Sequence, residues 1–238
     1  MHILPVFSDC HVNSAVALCP DGPILRDDGQ EITPSKSQQF INAAWMAYWE
    51  EVEAIKRGTP ARVTSICTGD LVDINTHSGF QLIEPNNHDT VMDMGVEVLW
   101  PMRAVSDEWI IERGTEAHVG GSGWLENRIA KEVGAKIDPS TGLRSWWFAE
   151  LSVEGVNITA THHPGTNSMR PWTLGGAANR AAAMMQDAYY LSGWKPNLSL
   201  FGHVHHNEDS YDNHAVRAIF NRSWAMKNAY DHRNGRGA

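Results

Sequence analysis

Short apolar runs alternate with amphipathic stretches along the chain. Ile3–Ser8 opens it as a candidate strand, and 21–34, rich in Asp, Gly and Pro, reads as a loop. Ser37–Arg57 follows as a helix, with Trp45, Trp49 and Val52 one apolar row at i, i+4 and i+7, ended by Gly58-Thr59-Pro60. Arg62–Thr68 is β-branched and unbroken, as a buried strand is. Asp89–Ala104 carries Val91, Met94, Val98 and Met102 at helical spacing, with Pro101 expected to kink or shorten it. Glu108–Arg113 reads as a strand and Trp124–Val133 as a helix. Arg144–Ser152 and Val156–His162 read as two strands joined at Glu154-Gly155, and Gly175–Leu191 as a helix. Leu198–Phe201 is a strand, His214–Trp224 one or two more, and the tail from about 231 frays. Early alternation and late crowding of strands predict an α/β layered domain with mixed sheets. With no repeat and no linker, one domain is expected over 1–238.

Composition narrows this only slightly. Of 238 residues 42% are apolar and 20% charged, an ordinary globule. No apolar run approaches a membrane span, the N-terminus lacks the marks of a signal peptide, and Cys10, Cys19 and Cys67 make no disulfide framework. A cytoplasmic location without membrane attachment is the expectation. The net charge of −9 opposes broad binding to nucleic acid unless metal ions supply positive charge.

The twelve histidines change the picture, because several fall where strands end. Ile3–Ser8 runs into Asp9-Cys10-His11, and Arg62–Thr68 into Gly69-Asp70-Leu71-Val72-Asp73. Glu108–Arg113 runs into Gly114-Thr115-Glu116-Ala117-His118, Val156–Thr161 into His162-His163, and Leu198–Phe201 into Gly202-His203-Val204-His205. Ligand sites in open α/β sheets lie beyond the carboxyl ends of the strands, so five such clusters would converge. Mixed Asp and His donors suit Mn²⁺, Fe²⁺ and Zn²⁺. On extended backbone Asp-x-His and His-x-His project their ligands to one side. Each motif alone is commonplace; five in series after apolar runs point to a metal site.

As an ordered set these motifs resemble the calcineurin-like metallophosphoesterase superfamily, with its Asp-x-His, Gly-Asp-x-x-Asp, Gly-Asn-His, lone His and Gly-His-x-His. The match spans Asp9 to His205. The resemblance implies a four-layer α/β/β/α sandwich with two mixed sheets and a dinuclear centre. It implies Asp9, His11 and His205 on one metal, His162 and His203 on the other, Asp70 bridging, and Asp73 orienting ligands. A hydroxide held between two divalent metals, Mn favoured over Fe or Zn, would attack phosphorus. The third motif departs from the pattern: either Thr115 stands in the place of Asn or Glu116 binds metal, with His118 the general acid. This Gly-Thr-Glu-x-His variant is similar to phosphoesterases of phages and prophages.

Outside those motifs, Asn13 is a candidate phosphate contact, as are Arg170 and Trp172 in the punctuated loop 164–172, Trp172 by stacking on a base or sugar. His163, next to a ligand on a strand, is expected to face the other way; His206 extends the last motif without pointing at it. Cys10, Trp45 and Trp49 read as packing, and Trp146-Trp147 as one buried and one exposed. The expected activity is phosphodiester hydrolysis on nucleotides or short single strands, with a phosphomonoesterase, a non-catalytic metal-binding module and a three-His zinc hydrolase as alternatives. The oligomeric state is not legible.

Overall fold

The computed structural model describes residues 1–75, 81–165 and 176–227. In chain order its elements are β1 (His2–Ile3), β2 (Val6–Phe7), β3 (Ile24–Leu25), β4 (Glu31–Ile32), α1 (Lys36–Gly58), β5 (Arg62–Cys67), α2 (His88–Val98), α3 (Trp100–Val105) and β6 (Glu108–Glu112). There follow α4 (Glu116–Val119), a 3-10 turn at Gly121–Gly123, α5 (Trp124–Glu132), β7 (Ser145–Trp146), β8 (Ala149–Val153), β9 (Val156–Thr161), α6 (Gly176–Ser192), β10 (Leu198–Phe201), β11 (Glu208–Asp209) and β12 (Arg217–Phe220).

Local chemistry explains most boundaries. Ser35 and Gln38 cap α1 reciprocally, side chain to backbone in both directions. The long helix expected over 89–104 is two helices broken at Leu99, and Pro101 sits in the first turn of α3, where its missing N–H costs nothing. Pro5 likewise splits the first strand, yet its carbonyl accepts from Ile66 N–H (2.9 Å), so both halves run along β5. The 21–34 loop contains the small antiparallel pair β3–β4.

The five strands β1, β2, β5, β6 and β7 form one sheet, parallel throughout. The second sheet has the order β11-β12-β10-β9-β8, with parallel pairs at its centre and antiparallel pairs at both edges, so the mixed character expected of both sheets is found in this one. The 144–152 stretch, read as one strand, is divided between the sheets. β7 pairs with β6 and β8 with β9, and the exposed Trp147-Phe148 carries the chain across.

Alternation of side chains along the strands separates three apolar layers. Val63 and Cys67 of β5 and Ile111 of β6 pack with Trp45 and Trp49 of α1, Met94 of α2 and Ile129 of α5. The intervening Ile66 and Ile110 point the other way, meeting Trp146, Ala149, Ile158, Ala160 and Leu200 between the sheets. Phe201, Ala218 and Phe220 turn to the far side, against Ala178, Ala181 and Ala182 of α6. The order helix, sheet, sheet, helix is thus an α/β/β/α sandwich. No helix among the described residues is long and apolar enough to cross a membrane.

Ile66 is wholly buried at the middle of the inter-sheet layer. Ile66→Ala should cost about 2–5 kcal/mol in urea unfolding. A loss under about 1 kcal/mol would contradict tight sheet-on-sheet packing at that point.

Candidate metal centre

The five clusters do meet. The chain leaves β2, β5, β6, β9 and β10 at their carboxyl ends into one crowded region, but not on extended backbone. Asp9 (φ 50°), His11 (φ 44°), Asn13 (φ 92°), Asp70 (φ 51°), His203 (φ 74°) and His205 (φ 63°) all adopt positive φ. They are six of the nine non-glycine residues that do so among the described residues. The common direction of Asp9 and His11, and of His203 and His205, therefore comes from left-handed turns rather than from strand parity. Such strain persists only where surrounding structure enforces it. Two glycines show how close the backbones come. A Cβ on Gly114 would lie 2.0 Å from Asp70 Oδ1, and one on Gly202 2.2 Å from Ser8 Oγ.

Asp9, His11 and His205 form one donor group. His11 Nε2 and His205 Nε2 stand 3.1 Å apart, and Asp9 Oδ1 lies 3.4 Å from His205 Nε2 and 3.9 Å from His11 Nε2. A second group adjoins it: Asp70 Oδ2 is 3.1 Å from His162 Nε2 and 4.0 Å from His11 Nε2, so this carboxylate stands between the two. His203 comes to this side, with Thr115 Oγ1 3.2 Å from His162 Nε2 and 3.3 Å from His203 Nδ1. Asp9, Asp70 and His162 also place donor atoms within 4.8 Å of one another, joining the groups.

Each donor is held from behind. His162 Nδ1 lies 2.7 Å from the Thr68 carbonyl, to which its N–H donates, so Nε2 faces Asp70. The Thr115 N–H donates to Asp70 Oδ1 (2.6 Å), and the His203 N–H to Asp9 Oδ2 (3.0 Å). Ser8 Oγ donates to Asp9 as well. Asp73 reaches His118 Nδ1 (3.1 Å) and His11 Nδ1 (3.5 Å), and its Oδ1 accepts from Asn75 N–H. His118 packs edge-on to His11, ring centroids 4.6 Å apart.

The charges are those of a cation site. Burial raises the Asp9 carboxyl, but the hydrogen bond and charge of His205 outweigh it and bring the group to about 2. Burial opposes ionisation of Asp70 too, yet His162 and His11 hold it well below the usual carboxylate range. Burial lowers His162, and Asp70 and Asp9 more than reverse this, pushing it up to about 10. His203 goes down to about 4, through burial and the charges of His162 and His163. The carboxylates thus draw a proton onto His162, where a divalent cation would satisfy them more fully, and His203 offers neutral nitrogens. Two imidazole nitrogens 3.1 Å apart beside ionised carboxylates fit divalent metal ions.

Several expected roles change. Glu116 is not brought to the donor groups: it is exposed in the first turn of α4, and its Oε1 accepts from Ser122 N–H at 2.8 Å. Thr115 stands at the second group instead. Asn13 has no amide group left for phosphate. Its Nδ2 donates to the carbonyls of Asp73 (2.8 Å) and Glu84 (2.9 Å), and its Oδ1 accepts from Glu84 N–H (2.7 Å). His163, expected to face away, comes to His162 and His203, because the chain has left β9 at Thr161 and strand parity no longer applies. His206 pairs with Glu208 (2.8 Å), which accepts from Ala178 N–H in the first turn of α6. Arg170 and Trp172 lie outside the described residues, as does the tail from 228. Glu126 went unread. Its carboxyl accepts from Leu71 N–H (2.9 Å) and Gly114 N–H (2.7 Å), tying the loops of Asp70 and Thr115 together. Burial and the nearby Asp70 push it up to about 8. Its position on the buried face of α5 was the only available signal.

No family profile and no curated protein matches the sequence. Among solved structures, the chain is similar to an archaeal phosphodiesterase at 10% identity and TM-score 0.41, covering 92% of this chain and 83% of that one. It is similar to a protein of unknown function from Aquifex aeolicus at 13% identity and TM-score 0.42, covering 93% and 90%. A sulfate thiohydrolase from Thermus thermophilus aligns at 12% identity and TM-score 0.43, covering 94% of this chain and 52% of the other.

Because His162 holds a proton at neutral pH that a cation must displace, metal loading should release about one proton and tighten about tenfold per pH unit between pH 6 and 8. Calorimetric titration of the chelated protein with Mn²⁺ in buffers of different ionisation enthalpy measures this. A pH-independent affinity would show that metal binding displaces no proton from His162.

Proposed function

We propose that the protein is a dinuclear metal-dependent phosphoesterase acting on phosphodiesters of nucleotides or short single strands. The observation that carries this reading is the convergence, from five strand ends, of two adjoining His/Asp donor groups with Asp70 between them. The order of the motifs, which resembles that of the calcineurin-like metallophosphoesterases, and the α/β/β/α layering support it.

Asp9, His11 and His205 would hold one divalent ion, His162 and His203 the other, and Asp70 both. When bound, such ions neutralise phosphate oxygens and make water nucleophilic at neutral pH. The chain does the rest. The Thr68 carbonyl fixes the His162 tautomer. Ser8 and the His203 N–H fix the Asp9 carboxylate. Asp73 holds His118, and although burial lowers the basicity of that ring, the bond to Asp73 raises it overall. His118 is thereby placed, beside the first donor group, to keep a proton for the departing oxygen. The mixed oxygen and nitrogen donors favour Mn²⁺, with Fe²⁺ and Zn²⁺ also accepted. A net charge of −9 repels long duplexes, whereas a short strand or a nucleotide meets chiefly the bound cations.

Protein reloaded with Mn²⁺ should turn over a nitrophenyl phosphodiester and a short oligonucleotide faster than a nitrophenyl monoester. Preference for the monoester would make it a phosphatase, and silence on all three would leave a metal-binding module. Asp70→Asn should cut kcat by more than about a hundredfold, beyond the effect of residues that only orient ligands; near-native turnover would refute a bridging role.

His118→Ala should lower kcat by about 10²–10⁴-fold for alkoxide leaving groups and much less for nitrophenolate. Equal losses on both would remove His118 from proton transfer.

A further inference from the structure

We infer that His163 is a metal ligand, completing with His162 and His203 the donor set of the second cation in place of the carboxamide that the third motif lacks. The inference rests on the dinuclear reading above and deepens it.

The second group needs another donor. Thr115 stands where an amide oxygen would be expected, 3.2 and 3.3 Å from two ring nitrogens, a spacing that a shared cation would also give, but its hydroxyl is neutral. A neutral hydroxyl is a weaker ligand than an imidazole for metals of this class.

His163 is on the spot. One nitrogen from each of His162, His163 and His203 lies within 4.8 Å of the other two. The His163 ring sits edge-on to both neighbours, centroids 4.7 Å from His162 and 4.8 Å from His203. A cation about 2.0–2.1 Å from each nitrogen brings tetrahedral donors to about 3.4 Å of one another. Rotation of the His163 ring, the one exposed ring in the set, would close the gap with His162 and the half-buried His203 in place. The main chain beneath is constrained. Pro164 is buried and biases His163 to extended backbone, and Gly165 lies against Met184 of α6, whose Cε would be 3.3 Å from an added Cβ. His163 therefore closes the second group from the solvent side.

The two cation sites then differ in kind. The first joins carboxylate and imidazole donors, whereas the second is built from three imidazoles and a share of Asp70, a set that favours Zn²⁺ and similar borderline ions over Mg²⁺.

Cobalt(II) tests this directly, with stoichiometry and visible absorption as readouts independent of turnover. Chelated protein reloaded with Co²⁺ and desalted should retain two ions per chain. His163→Ala, at an exposed position and so with an unchanged melting temperature, should retain one, lose the absorption of the second ion, and bind it more than about a hundredfold more weakly, beyond the effect of residues that only orient ligands. His206→Ala, which removes a neighbouring histidine that pairs with Glu208 instead, should keep both ions. Two retained ions with an unaltered spectrum in His163→Ala would overturn the ligand role and leave the phosphoesterase reading standing. Wild-type protein that takes up no Co²⁺ would overturn both.

Discussion

The constraint on which the site depends is the burial of two carboxylates, Asp9 and Asp70, at the ends of neighbouring strands. Both are essentially inaccessible to solvent, so each must be compensated by hydrogen bonds and positive charge or give up its ionisation. Backbone N–H groups supply part of the compensation, from Thr115 to Asp70 and from His203 to Asp9. The surrounding imidazoles supply the rest, and His162 does so by taking a proton. A buried Asp–His cluster is a poor device for stability alone, because the pair must offset its own desolvation. It is a good device for holding a cation, which provides in one atom the charge that several rings otherwise share.

That demand explains the local geometry. Six left-handed non-glycine residues in one region are tolerated because the loops that carry them are pinned at several points. Glu126 clamps the Asp70 and Thr115 loops from α5, and Asn13 ties its own turn to the carbonyls of Asp73 and Glu84. The segment after β12 closes the remaining side, with Ser223 Oγ and Trp224 N–H both donating to the Asp9 carbonyl. These struts stand on two packed sheets. The rigidity of the inter-sheet layer is therefore what fixes the distance between Asp9, on a loop of the first sheet, and His203 and His205, on a loop of the second.

The sequence carried the broad plan because strand ends and metal-binding residue types are both local signals. Every strand that bears a donor was legible as an apolar run, and the residue following it as a chemical group. What was not legible depends on contacts between distant segments. The division of 144–152 between two sheets turns on Trp147-Phe148, which differ little in character from strand residues. Glu126 looks like any charged residue of an amphipathic helix until its carboxyl is seen to accept from the Leu71 and Gly114 N–H groups. Asn13 and Glu116 lie close in sequence to candidate ligands, but Asn13 is redirected by its own left-handed turn and Glu116 by the start of α4. His163 came in where parity sent it out because β9 ends at Thr161, before it.

On the proposed reading, Thr115 in the place of an amide is not a simple loss. A threonine hydroxyl is shorter than a carboxamide, and Thr115 Oγ1 stands within hydrogen-bond distance of His162 and His203. The side chain proposed to complete that donor set comes from the loop after β9. Ligand sets rearrange in this way when the scaffold fixes the place of the charge more firmly than the identity of the donor. On the dinuclear reading, Asp9 and Asp70 fix that place, and the histidines arrayed around them would complete it from whichever strand end lies within reach.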